Sequence, residues 1–308
     1  MNFIISGGLG HIGSKLTIQL AKEFKSSRIL VIDSLLTQRY PSLFNYKKYK
    51  NIYFLQKDLS KQSIDKYMNK NSIIINLAAI TDAASSFENA NLVEKNNFEI
   101  LKRIAKSATS KKSKLIHISS TSVYGTQKNF VDESCEINDL KPQSPYAESK
   151  LKEERHLEKT SGLNYICFRF GTIYGFSTGM RFHTAVNKFC WQAANNEMLS
   201  IWKTAYKQKR PYLDLKDACR AIIFIIKKKH FNNEIYNVLS DNLTVENVVT
   251  EIKNYYPNLK INFVKNKIMN QLSYEVSNTK FRSLGFRFNG KLNKAIKETL
   301  ANLPDSNF

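Results

Sequence analysis

The sequence predicts an α/β fold built on a doubly wound parallel sheet, and three observations carry that prediction. Short apolar runs of β type alternate with amphipathic helical stretches through the first half of the chain. A glycine-rich segment, Gly7-Gly8-Leu9-Gly10-His11-Ile12-Gly13, follows the first apolar run directly. The 308 residues, 42% of them hydrophobic and 12% aromatic, suffice for one large α/β domain and a smaller appendage.

Taken in order, 3–6, 29–32, 52–55, 73–77, 115–119 and 165–170 read as strands, being short and rich in β-branched residues. Between them, 13–24, 60–68, 91–108 and 145–160 show helical periodicity. After Gly175 the alternation loosens: 180–195, 217–228, 245–255 and 290–300 read as helices, and 200–202, 235–238 and 261–264 as strands. A Rossmann-type NAD-binding domain is expected over 1–172, with 214–239 returning to it. The rest of 173–308 is expected to form a smaller, discontinuous substrate-binding domain.

The net charge of +21 comes from lysines spread along the whole chain, with no recognised nucleic-acid module, so no nucleic-acid partner is expected. Lying beside many Asn and Ile residues, the lysines read chiefly as a compositional habit of the source genome, with attraction of a diphosphate-bearing substrate as a lesser reading. The most apolar stretch, 221–226, is too short for a membrane span and runs into Lys227-Lys228-Lys229. The first strand begins at once, leaving no room for a signal peptide. Cys135, Cys167, Cys190 and Cys219 lie far apart, with no CxxC pair and no histidines at metal spacing. They read as reduced packing residues of a cytoplasmic protein without a metal site.

The spacing Gly7-x-x-Gly10-x-x-Gly13 supplies a tight turn, an unobstructed backbone for a pyrophosphate, and close packing of helix on strand. Asp33 ends the second strand about 20 residues after Gly13, where a carboxylate binds the adenosine ribose. Its charge repels a 2′-phosphate, which favours NAD over NADP. Asp58 either pairs with the adenine amino group or caps a helix beginning near Ser60. Ala78 and Ala79 are small enough to let a dinucleotide cross the sheet edge. Tyr146 and Lys150, within Tyr146-Ala147-Glu148-Ser149-Lys150, share one helical face, where an ammonium favours the phenolate of a neighbouring tyrosine.

Together with Ser119-Ser120-Thr121-Ser122-Val123-Tyr124-Gly125, Arg169-Phe170-Gly171-Thr172-Ile173-Tyr174-Gly175 and Arg210-Pro211-Tyr212-Leu213-Asp214, these segments make the chain resemble the extended short-chain dehydrogenase/reductase family. The likeness is specifically to its NAD-dependent nucleotide-sugar epimerases and dehydratases. It covers nearly the whole chain in the expected order. It implies that Gly7, Gly10, His11, Ile12, Gly13, Asp33, Asp58, Leu59, Leu77, Ala78, Ala79 and Asn97 hold NAD, with Tyr146 and Lys150 at the nicotinamide ribose. It also implies a catalytic set of Ser120, Tyr146 and Lys150, and substrate contacts from Thr121, Thr172, Arg181 and Arg210. Arg210 matches the arginine that clamps the substrate diphosphate, an interaction suited to a bidentate guanidinium.

Departures from the family pattern narrow the chemistry. Thr121 and Ser122 stand where family dehydratases carry Asp-Glu, and decarboxylating relatives use Glu at the place of Ser122. Asn76 replaces a common His, Thr172 a usual Asn, and Pro211 a usual Asp. The expected activity is nucleotide-sugar 4-epimerisation through transient C4 oxidation, with Tyr146 as base. The alternative is an NAD(P)H-dependent keto-sugar reductase or dehydrogenase. A catalytically idle NAD- or RNA-binding relative is disfavoured by the intact Ser120, Tyr146 and Lys150. His117 reads as a satisfied core histidine, His11 as positional, and Trp191 and Trp202 as packing residues. The resemblance further implies a homodimer through 91–108 and 146–160, and employment in surface-polysaccharide precursor synthesis. It leaves the nucleotide base and the sugar open.

Overall fold

Phe3, Ile4 and Ile5 are each fully buried, as a strand covered on both faces of a parallel sheet must be. The computed structural model describes residues 1–81, 85–127, 130–264 and 273–304. In chain order its strands are β1 (Asn2–Ser6), β2 (Arg28–Asp33), β3 (Ile52–Gln56), β4 (Ser72–Asn76), β5 (Lys114–Ser120), β6 (Phe130–Val131) and β7 (Asn164–Phe170). They continue with β8 (Thr172–Tyr174), β9 (Leu199–Trp202), β10 (Arg210–Asp214), β11 (Ile235–Val238), β12 (Asp241–Leu243), β13 (Ile261–Val264) and β14 (Glu275–Val276). The helices are α1 (His11–Glu23), α2 (Pro41–Phe44), α3 (Ala90–Ser110), α4 (Pro145–Glu158) and α5 (Ala185–Ala194). After these come α6 (Leu215–Lys228), α7 (Val245–Lys253), α8 (Thr279–Ser283) and α9 (Leu292–Leu300).

The central sheet has seven strands in the order β11-β7-β5-β4-β1-β2-β3. All its pairings are parallel. Alternate side chains sort to opposite faces. Phe3 and Ile5 join Leu16 and Leu20 of α1 and Ile222 and Ile225 of α6, while Ile4 joins Ile100, Leu101 and Ile104 of α3. Burial of each such side chain contributes about 1.5–3 kcal/mol. The strand order reverses between β1 and β4, which opens a crevice at their C-terminal ends. A separate core of Val186, Phe189, Tyr212, Val248 and Ile296 binds α5, α7 and α9 to β10. The parallel pair β9–β13 borders it.

Two predicted helices differ from the structure. Over 60–68 only a single 3₁₀ turn, Asp65–Tyr67, forms. The Asp58 and Ser63 side chains take the backbone N–H groups of Ser60 and Asp65, an alternative to helical pairing. The helix expected from residue 180 begins only at Ala185, because the Gly179 and Met180 carbonyls accept instead from Arg39 Nη1 at 2.8 and 2.6 Å.

Candidate active site

The crevice between β1 and β4 opens into a cavity of about 730 Å³. At one end lies the glycine turn. Gly7 has φ of +68°, and a Cβ there would sit 2.7 Å from the Ala78 backbone. A Cβ on Gly13 would lie 2.6 Å from Gly8 Cα, so α1 packs directly on the turn. Gly10 is the N-cap of α1 and receives no side-chain cap. The first amides of α1 therefore lack a capping side chain beside the cavity that Gly10, His11, Ile12 and Gly13 line.

Asp33 lines the same end of the cavity. Its two oxygens accept from Leu9 N at 3.1 Å and Leu35 N at 3.0 Å, so the carboxylate also braces the turn. Asp58 lines the cavity too, and Ser60 N and Oγ both donate to its Oδ1, at 2.9 and 2.7 Å. With no helix at 60–68, the capping alternative for Asp58 falls away; it closes a local turn instead.

His11 is buried, and its Nε2 lies 2.7 Å from the Gly175 carbonyl. Burial pushes its pKa down to about 3, so the neutral ring donates to that carbonyl. The contact belongs to a seam along 175–180. Ser177 Oγ donates to the His11 carbonyl at 2.8 Å, Gly179 N donates to Ser14 Oγ at 3.1 Å, and Lys15 Nζ donates to the Phe176 carbonyl at 3.1 Å. A Cβ on Gly179 would stand 2.2 Å from the Leu9 carbonyl oxygen. Arg39, bonded to this seam, is a residue that sequence reasoning missed.

At the middle of the cavity, β5 delivers Ser120 and α4 delivers Tyr146 and Lys150. Ser144 caps α4 by accepting from Ala147 N at 3.2 Å, and Pro145 fills its first turn. The cap fixes the start of the helix just ahead of Tyr146. Lys150 Nζ stands 5.9 Å from the Tyr146 ring centroid. Ser120 Oγ accepts from Ser122 Oγ at 2.8 Å and Ser122 N at 3.2 Å. The buried Thr121 hydroxyl donates to the Phe170 carbonyl at 3.3 Å. Behind this group Arg169 makes a bidentate pair with Glu154, whose Oε1 also accepts from Ser119 Oγ at 2.5 Å.

Thr172, Arg181 and Arg210 also line the cavity, together with Lys188, His183, Trp202 and Tyr274; these last four were not selected for this role from the sequence. Trp191 instead packs on Phe182, with ring centroids 4.9 Å apart. Arg181 contacts Thr81 Oγ1. Leu59, Leu77, Ala78 and Ala79 line the wall near the glycine turn. Asn97 is outside the cavity lining. It accepts from Ile80 N at 2.8 Å and donates to Ile80 O at 3.0 Å, and so acts on the wall through that residue's backbone.

A family model described as the NAD dependent epimerase/dehydratase family matches residues 3–238. The chain is 31% identical over 259 residues to a dTDP-D-glucose 4,6-dehydratase of Dictyostelium discoideum, covering 77% of this chain and 58% of that protein. It thus spans little more than half of that relative's length. It is 26% identical over 250 residues to an uncharacterized UDP-glucose epimerase of Bacillus subtilis (strain 168), covering 77% and 76% of the two chains. The solved UDP-glucuronic acid 4-epimerase of Bacillus cereus, in complex with UDP-glucuronic acid and NAD, superposes with a TM-score of 0.87 over 98% of both chains at 20% identity. A Thermus thermophilus UDP-glucose 4-epimerase in complex with NAD gives 0.82 at 19% identity, over 98% of this chain and 100% of that one. These two structures share the Rossmann architecture. On the extent of the family match, the chain belongs to the NAD-dependent epimerase/dehydratase family, whose members are NAD-dependent enzymes.

Proposed function

We propose that this protein is an NAD-dependent nucleotide-sugar 4-epimerase that acts by transient C4 oxidation with Tyr146 as base. The observation that carries this reading is the meeting of Ser120, Tyr146 and Lys150 in the cavity that begins at the glycine turn. The residues fit the dinucleotide. A cradle that a Cβ would fill at Gly7 suits a pyrophosphate, and Asp33 suits an unphosphorylated ribose. Arg39 gives its Nη1 to two carbonyls of the seam and also lines the cavity near Asp33. When bound, the nicotinamide supplies the hydride acceptor and donor.

Tyr146 takes the proton of the C4 hydroxyl and returns it to the ketone oxygen. Lys150 favours the phenolate. Ser120 already accepts from both donors of Ser122, so its own proton is directed outward to the substrate oxygen. Elimination needs an acid and a base beside C5 and C6, and the relatives include dehydratases. Here Thr121 is turned to a carbonyl and Ser122 to Ser120. Among the described residues lining the cavity, the only carboxylates are Asp33 and Asp58, both near the glycine turn.

Arg181, Lys188 and Arg210 suit a substrate diphosphate, with Thr172 beside them. On this reading 1–172, joined by 214–239, form the NAD-binding part, and the remainder of 173–308 the substrate-binding part. A homodimer through α3 and α4 is part of the proposal; Leu92 on α3 is 58% exposed. Among the described residues no helix is long and apolar enough to cross a membrane.

The test is nuclear magnetic resonance of purified protein with a panel of nucleotide sugars, while NADH absorbance is followed. A C4 epimer formed without net NADH change is expected, and Tyr146→Phe should lower kcat by about 10³-fold. NADH changing in step with product would replace this reading with a reductase or dehydrogenase.

A further inference from the structure

Lys150 does not stand alone at the cavity floor. Its Nζ donates to Glu153 Oε2 at 2.8 Å, one turn along α4. Lys150 is 3% exposed and Glu153 1%. Behind them His117 of β5, fully buried, places Nε2 2.9 Å from the same Oε2. Asn76 Nδ2 lies 3.2 Å from His117 Nδ1, and Ser6 Oγ donates to Asn76 Oδ1 at 2.7 Å. Since the Ser6 hydroxyl fixes the Asn76 oxygen, the amide nitrogen donates to Nδ1, and the neutral imidazole carries its proton on Nε2, close to the carboxylate but not aligned with it as a hydrogen bond. A line of buried polar groups therefore runs from the end of β1 to the lysine of the reaction centre.

The charges around this line leave Lys150 one counter-ion. On α4 itself stand Tyr146 and Glu154, and Glu154 is held by Arg169 of β7 and Ser119 of β5. Cys167 of β7 is a neutral thiol, burial having driven its pKa well above the usual thiol range. Burial also lowers His117, so it adds no charge. Burial opposes the Glu153 charge too, but Lys150 and His117 outweigh it and hold the carboxyl at about 2. A cation and an anion in contact act on a third group as a dipole rather than as a single charge, and their field falls off faster.

We propose that Glu153, backed by neutral His117, is a positioning residue for the reaction. It anchors the Lys150 ammonium and sets how strongly that charge favours the Tyr146 phenolate. The inference rests on the assignment of Tyr146 and Lys150 in the proposed function.

The test compares pH profiles of kcat/KM for wild type, Glu153→Gln, Glu153→Asp and His117→Leu. Glu153→Gln frees the ammonium's field, so the acidic limb should move down by about one pH unit. The alkaline limb should move down as well, because a buried ammonium has lost its partner. Glu153→Asp should restore most of both shifts. His117→Leu concentrates charge on the carboxylate and should move the acidic limb the other way, by a smaller amount. Limbs that stay in place while kcat and the thermal midpoint fall together would overturn the inference. If Glu153→Gln does not fold, His117→Leu carries the test, and an unmoved acidic limb there overturns it equally.

A second readout needs no turnover: ultraviolet difference titration of the phenolate in wild type and Glu153→Gln, each against its Tyr146→Phe counterpart. The Tyr146-dependent signal should appear at lower pH in Glu153→Gln. If this shift appears but wild type epimerises no nucleotide sugar, the reaction assignment fails and Glu153's role stands. If wild type epimerises a sugar and neither readout moves, the inference about Glu153 fails alone.

Discussion

The two ends of the cavity are built by opposite means. At the glycine turn main chain sets the closest approach, since a Cβ on Gly7 or Gly13 would come within 2.7 Å of backbone atoms, and the Asp33 and Asp58 side chains stand beside it. Elsewhere the wall is made of side chains, Lys188, Trp202, Arg210 and Tyr274, borne on separate elements and connections. A backbone wall offers one geometry and tolerates little substitution. A side-chain wall can change its ligand without disturbing the sheet. On the proposed function, the first end would take a constant cofactor and the second a substrate.

Three substitutions probe that contrast, in order of expected effect. Gly7→Val places a branched side chain at positive φ against the Ala78 backbone, and NAD affinity measured by calorimetry should fall about 100-fold or more. A valine variant that binds NAD within a few-fold of wild type would show that the turn yields, and the contrast would collapse. Arg210→Met should raise KM for the nucleotide sugar about 10- to 50-fold and leave NAD affinity unchanged. Equal loss of both would mean that the two ends are not separable.

The smallest effect concerns the seam between them. The unfolded chain protonates His11 below about pH 6.5, whereas burial holds the folded residue neutral down to about 3. Its contribution to stability is fully present above that upper value and is lost progressively on acidification. The thermal midpoint should therefore drop between about pH 7 and about pH 5, and His11→Gln should flatten that slope. A slope identical to wild type would place the acid sensitivity elsewhere, His117 being the next candidate in the same sense.

Much of the glycine-turn end was legible because it is local. A strand, three glycines at fixed spacing and a carboxylate at the end of the next strand lie within a few turns of chain. The helix expected over 145–160 likewise begins at Pro145 and bears Tyr146 and Lys150. Arg39 and Tyr274, which line the cavity, and Gly179, which packs on the Leu9 and Gly10 backbone, were not legible, since each is placed by residues remote in sequence. Asn97 was placed near the cofactor, and it meets the wall through Ile80 and Asn96. Over 60–68 the apolar spacing of Ile64 and Met68 resembled a helix, while hydrogen bonds by Asp58 and Ser63 decided otherwise. The run Lys152-Glu153-Glu154-Arg155 looks like a solvated charged face. Glu153 and Glu154 are in fact buried, each against a cation. The spacing of Lys150 and Glu153 on one helical face was the signal that could have found the pair.

The seam along 175–180 has a practical consequence for recombination between relatives. Its carbonyls and hydroxyls are bonded to α1, to the glycine turn and to Arg39, and Arg181 follows at once. A crossover placed inside this stretch would pair one parent's nucleotide turn with another's strap, leaving mismatched donors in a buried joint. Exchange of substrate preference is therefore best made beyond Arg181, so that the strap travels with the turn it was matched to.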